Sequence, residues 1–216
     1  PVLIERLAAD HGLAGALVSI DAIATNPTIA AAILDAGADY LLAVKANQPT
    51  LRANIEKLVT APPADFPPPR AATATLAGRR EFNKGQPELR ILRAGAASAE
   101  AVDFPCVEQV ALLRRHLRQH APETVALVTS LPPAELSAAQ WLECNRAAWG
   151  IESGLHQRLD ISHRDDQSRV RLPRSMRVLG LFRRFSNSLF MEWRSRQKKP
   201  RHKTTTDFFT VMNAEH

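Results

Sequence analysis
The sequence predicts a mixed α/β fold: a parallel β-α-β unit, a β-rich insertion, and a long helix that follows it. Three observations predict it. Short apolar runs at 16–22 and 39–45, β-branched at Val18, Ile20 and Val44, flank a helix with its own start and stop signals. A proline-dense stretch then breaks the pattern. Beyond Pro132-Pro133 an apolar stripe recurs at helical spacing.

Residues 16–22 read as a buried strand, with Gly15 before it. Asn26 suits a helix N-cap and Pro27 the first helical position. Ile29, Ile33 and Leu34 then share one face, and Gly37 ends the helix. Asp39–Lys45 reads as a second strand, followed by a helix from about Pro49 with Leu51, Ile55, Leu58 and Val59 on one side. Strands joined by a helical crossover pair in parallel. Asp21 and Lys45 therefore belong side by side at the carboxyl ends of adjacent strands, where open α/β sheets bind ligands.

Residues 61–70 hold five prolines, so 61–76 reads as a linker. Residues 79–93, 104–113 and 124–130 read as strands or short mixed elements of an antiparallel insertion spanning 77–131, with the basic stretch Arg114–Arg118 between the last two. From about Ala134 to Asp160 one long helix is predicted, its stripe formed by Cys144, Ala148, Ile151, Leu155 and Leu159. Glu152 borders that stripe, with Trp149 and His156 one turn to either side. The organisation is thus 1–60, a linker at 61–76, an insertion at 77–131, helices at 132–190 and a basic tail at 191–216.

Charge narrows the function classes. The sequence pI is about 9.9, and Ser168–Lys203 carries twelve lysines or arginines against one acid, Glu192. A basic arm on a body that is otherwise net acidic is a usual layout for a protein that touches phosphate backbones. The plain alternative is a solvated, poorly ordered tail. No run of eighteen apolar residues is present, and the start has neither a basic cluster nor an apolar stretch of a leader. Cys106 and Cys144 fit no metal or redox spacing and read as inert thiols. The phosphate-binding loop, nucleophile-elbow and zinc-protease motifs are absent, and the seven histidines lack metal-ligand spacing.

Two carboxylates stand out. Asp21 follows an apolar strand while Asn26 already supplies the helix cap. Glu152 borders an apolar helix stripe, although a helical glutamate is more often simply exposed. Together they suggest a hard-cation site, since magnesium takes oxygen ligands from one or two carboxylates, water and phosphates. A two-metal centre for phosphodiester chemistry needs a third carboxylate from elsewhere.

Three blocks resemble a known family. Val18-Ser-Ile-Asp-Ala22 with Asp39-Tyr-Leu-Leu-Ala-Val-Lys-Ala-Asn-Gln-Pro-Thr-Leu51 is the first. Arg146-Ala-Ala-Trp-Gly-Ile-Glu-Ser-Gly-Leu-His156 with Leu159-Asp160 is the second, and Arg164-Asp-Asp-Gln-Ser-Arg-Val-Arg171 the third. In order and spacing they resemble insertion-sequence transposases of the DDE type, in the ISAs-type, H-repeat-associated family. The likeness covers residues 1 to about 190, weakly over 77–125.

The resemblance implies an RNase H-like fold and metal-dependent strand cleavage and transfer with Mg²⁺ or Mn²⁺. It makes Asp21 the second catalytic Asp and Glu152 the catalytic Glu. It assigns DNA contacts to Lys45, Asn47, Gln48, Arg146, Trp149, His156, Arg164, Arg169 and Arg171. The implied partner is DNA at insertion-sequence ends, met as a homodimer on paired ends, in the bacterial cytoplasm at the nucleoid. The departures are also clear. No counterpart of the family's first catalytic Asp is present. The family's His-x-Arg-x-Glu stretch survives only as Ala77-Gly-Arg-Arg-Glu81, and from about Arg194 the likeness fades. A truncated, inactive copy is therefore expected. The strand at 16–22 should present an open edge, and the chain is expected to fold poorly alone.

Overall fold
The structure is a computed structural model, and it describes residues 2–60, 75–83, 86–118, 120–151 and 155–214. The chain forms two compact units, Pro1–Ala148 and Trp149–His216.

The first unit opens with helix α1 (Val2–His11), which the apolar pattern alone does not announce. Strand β1 (Leu17–Val18) leads to a 3-10 turn at Ala22–Ala24 and helix α2 (Pro27–Asp35). The Asn26 side chain accepts from the Ile29 amide at 3.0 Å, and Pro27 sits in the first turn, as the sequence predicts. At the far end Gly37 adopts φ +72°. Its amide bonds Leu34 O, and the Ala38 amide reaches back to Ile33 O, which closes the helix with a left-handed glycine cap.

Strand β2 (Asp39–Val44) pairs in parallel with β1, Leu17 opposite Asp39, and helix α3 (Pro49–Thr60) follows. The predicted β-α-β unit is therefore present. The paired part of its first strand is only two residues long, because the chain turns into the 3-10 helix directly after Asp21.

The insertion adds four antiparallel strands to the same sheet: β3 (Thr75–Asn83), β4 (Gln86–Ala96), β5 (Gln109–Leu117) and β6 (Glu123–Thr129). The six strands run in the order β1-β2-β6-β5-β4-β3. Two readings of this region change. The span 79–93 is two strands of one hairpin, and Arg114 and Arg115 lie inside β5, not between strands. The short helix α4 (Ala99–Val102) precedes β5. Consecutive residues of a strand point to opposite faces, so Arg114 and Arg115 can both lie inside β5.

Helices cover both faces. Tyr40, Leu42 and Val44 join Ile33, Ile55, Val59 and Val102 in one apolar cluster. Leu41, Leu92, Leu113 and Leu127 join Trp141 and Leu142 of helix α5 (Ala138–Ala148) in the other. Burial on two sides is why 40–44 is a continuous apolar run and not an alternating one. The sheet and its helices are a mixed α/β fold, compatible with an RNase H-like fold carrying a β-rich insertion. Among the described residues, β2 is the sole partner of β1, so the outer edge of β1 is open, as expected.

In the second unit, helices α6 (Gln157–Ile161), α7 (Pro173–Ser195) and α8 (Thr205–Ala214) gather around Phe190, Phe208, Trp193 and Leu159. Phe190 and Phe208 meet edge-on at 5.9 Å, and Trp193 lies 5.6 Å from Phe208. The long helix predicted over 134–160 begins only at Ala138, and α5 ends at Ala148 with a turn at Trp149. Residues 150–151 and 155–156 are again helical, α6 starts at Gln157, and 152–154 lie outside the described residues. Much of the basic stretch from Ser168 is the ordered helix α7 and not a loose tail.

Candidate active-site edge and its supporting network
Asp21 lies three residues beyond the end of β1. It occupies the N-cap position of the 3-10 turn, and its carboxylate makes no capping hydrogen bond. Lys45, directly after β2, brings its ammonium to 3.7 Å from that carboxylate. Both side chains are more than half exposed, so the attraction itself contributes little to stability. The predicted adjacency of the two groups is nevertheless realised.

Asn47 and Gln48 turn inward to the same turn. The Asn47 amide donates to Ala22 O at 3.2 Å, and the Gln48 amide donates to Thr25 O. Thr25, itself buried, donates its hydroxyl to Ala43 O at 2.9 Å. The loop after β2 thus ties down the backbone that carries Asp21. These bonds use the amide donors of Asn47 and Gln48, two and three residues after Lys45.

The second assembly lies on the face of the insertion covered by α5. Cross-strand pairing aligns Arg79, Arg90, Arg115 and Glu123 in one row and Glu81 beside Glu88 in the next. Fully buried Glu88 accepts from Arg115 Nε at 2.7 Å and lies 3.8 Å from Arg90 Nε. Arg115 also meets Glu123 at 2.9 Å. Arg79 pairs with Glu81 at 3.0 Å and Glu143 at 3.6 Å, while Arg146 reaches Glu81 at 3.4 Å. Arg90 donates to Asn145 Oδ1 at 2.5 Å. Burial lowers the Arg90 pKa, and Glu88 and Glu81 oppose that shift.

This network clamps β3 and β4 to α5. Sequence reasoning noticed Arg79 and Glu81 only as remnants of a motif. The findable signal was their two-residue spacing on a strand, which points both side chains to one face. Arg146, assigned to DNA by resemblance, has its charge balanced inside the fold by Glu81.

The structure thus brings Asp21, Lys45, Asn47 and Gln48 together and sets Arg146 on α5 against the insertion. Trp149, His156, Arg164, Arg169 and Arg171 belong to the second unit, and all five are exposed there. Arg164 adopts a left-handed φ of 50°. The loop around it is held by Asp165, which pairs with Arg183. Glu152 lies outside the described residues.

Among the described residues, no group of three acidic, histidine or cysteine side chains could hold a metal ion. Asp21 fits a cation as one exposed oxygen ligand, but Lys45 already shares its charge. One carboxylate does not hold a two-metal centre, so no chemical step through a metal follows from the described residues alone. No helix among them is long and apolar enough to cross a membrane.

Fold and site define an α/β protein with an acid and a lysine at the carboxyl edge of a parallel strand pair, its sheet extended by an antiparallel insertion. No family model matches the chain. It is similar to the protein described as "Putative transposase YncI" of Escherichia coli O157:H7, 28% identical over 184 residues that cover 82% of this chain and 46% of that protein. The chain therefore spans about half the length of the curated relative it matches.

Proposed function
We propose that this chain is part of the catalytic core of a DDE-type insertion-sequence transposase, of the ISAs-type, H-repeat-associated kind. The observation that carries the reading is the uncapped Asp21 beside Lys45 at the strand ends, in a chain similar to a transposase. Asp21 and Glu152 would supply carboxylate oxygens to Mg²⁺ or Mn²⁺, with DNA phosphates completing the coordination. Such a cation, when bound, would supply Lewis-acid polarisation of the phosphodiester. The sequence holds two of the three carboxylates that such chemistry uses, so the chain by itself is proposed to bind DNA without cutting it. Action as a homodimer on paired DNA ends, at the nucleoid, belongs to the same proposal.

A second reading is a non-catalytic DNA-binding protein that uses the basic stretch Ser168–Lys203. The observation that favours it is the order of α7, which exposes Arg174, Arg177 and Arg184 on a regular helix.

Fluorescence anisotropy with a labelled duplex tests both, with and without Mg²⁺, on the wild-type chain and on Asp21→Asn and Glu152→Gln. The transposase reading expects salt-dependent binding that Mg²⁺ strengthens in the wild type and in neither variant. Binding indifferent to Mg²⁺ and to both substitutions would favour the second reading. No binding at low salt would remove both.

A further inference from the structure
The antiparallel insertion separates its charges by face. Every acid of β3, β4, β5 and β6 (Glu81, Glu88, Glu123) pairs with arginine on the side covered by α5. Strand alternation sends the other arginines to the opposite face. There Arg80 stands opposite Leu89, which stands opposite His116. Arg114 stands opposite Ile91 and Thr124, and Arg93 opposite Leu76 and Leu112. No acidic residue occupies those rows. Among the described residues, Arg80, Arg93 and Arg114 have no carboxylate partner, and all three are exposed.

The packing explains why this part of the face is open. Val110, Leu112, Ala126 and Val128 belong to the apolar cluster with α3. Among the described residues that cover ends before the outer rows, where Leu76 is 69% exposed and Leu89 and Ile91 are half-buried. The result is a sheet face with fixed cation spacing. Diagonal neighbours on adjacent strands, such as Arg93 and Arg114, lie about 7–8 Å apart at the backbone. A site for an acidic metabolite would need convergence into a cavity. Three arginines spread over a flat face suit a repeating polyanion, and a duplex carries one negative charge per about 1.7 Å of its axis. Guanidinium groups also match phosphate oxygens in bidentate geometry.

We propose that this face, built on Arg80, Arg93 and Arg114 with His116 at its margin, binds the phosphate backbone of duplex DNA. It is a surface additional to the strand-end site and to the basic stretch at 168–203. It rests on the DNA-binding reading proposed above. The exposed Leu76 and the half-buried Leu89 and Ile91 would lie against the sugars between phosphates. The contacts carry no base information, so the surface would set register and orientation and not sequence preference.

The test measures anisotropy of a labelled duplex of about 20 base pairs over a salt series. It compares the wild-type chain with the triple variant Arg80→Gln, Arg93→Gln, Arg114→Gln. Each phosphate contact contributes about 0.9 to the slope of log K against log salt, so the variant should lose roughly 2–3 from that slope. Binding at moderate salt should weaken at least tenfold. A conservative Arg→Lys triple should keep most of the slope. Because a triple variant can misfold, a second measurement uses the unaltered chain. Phenylglyoxal modification read by mass spectrometry should show duplex protecting Arg80, Arg93 and Arg114, with Arg115 unchanged. An unaltered slope in the Gln triple together with no protection would overturn the inference while leaving DNA binding intact. Failure of the wild type to bind duplex would overturn the inference and the reading beneath it. Tighter binding to polyglutamate than to duplex would assign the face to an acidic protein instead.

Discussion
The carboxylate of Glu88, shielded fully from solvent, accepts a hydrogen bond from Arg115 Nε at 2.7 Å across two neighbouring strands. It lies between the hairpin and α5, with Arg90 on its other side. Removing one partner of a buried ion pair leaves the other charge stranded, which costs about 3–5 kcal/mol. Glu88→Gln should therefore destabilise the chain by roughly 3 kcal/mol. A urea midpoint equal to that of the wild type would show that the network adds no stability.

Trp141 anchors the same helix from its apolar side. It is fully buried, and its indole N–H donates to Gln109 Oε1 at 3.3 Å. Gln109 in turn donates to Leu131 O and Leu136 O. Trp141→Ala should cost about 3–5 kcal/mol through the cavity it leaves. Trp141→Phe should cost less, since most of the packing survives. Equal losses for the two would assign the effect to the hydrogen bond and not to the ring.

Asn47 acts on Asp21 through the backbone. Loss of its bond to Ala22 O in Asn47→Ala should weaken the 3-10 turn by about 1 kcal/mol. The Ala24 amide, which donates to Asp21 O at 2.9 Å, should exchange with solvent roughly fivefold faster. Amides of β5 should be unaffected. Unchanged exchange at Ala24 would mean the turn holds without the loop after β2.

Lys45→Met should leave global stability within about 0.5 kcal/mol, because its pair with Asp21 is exposed on both sides. A larger loss in thermal unfolding would assign the pair a structural role that its exposure does not suggest.

His163 titrates below its ordinary value of 6.5, first through burial and then through Arg183, with Asp165 opposing. The folded state thus disfavours the protonated ring relative to the unfolded chain. As pH falls below about 6.5 the unfolded state takes up the proton first, so stability declines until the pH passes the folded pKa. Unfolding at pH 7.5 and 5.5 should show this decline, and His163→Asn should reduce it. A ring titration by NMR at or above 6.5 would contradict the prediction.

Local chemistry settled a definite part of this protein. Asn26, Pro27 and Gly37 announced α2, because caps act over one turn of chain. The apolar runs at 16–22 and 39–45 announced two parallel strands, and with them the meeting of Asp21 and Lys45 at one edge. Tertiary structure decided the rest. Whether 79–93 was one strand or a hairpin could not be read from alternation alone, since both faces of this insertion carry arginine. The inward turn of Asn47 and Gln48 depended on carbonyls more than twenty residues earlier. The division of arginines into Arg90 and Arg115, which are paired, and Arg93 and Arg114, which have no carboxylate partner among the described residues, depended on which face α5 covers. Sequence periodicity names the two faces of a strand. Only packing determines which of them meets an opposite charge and which is left for a partner.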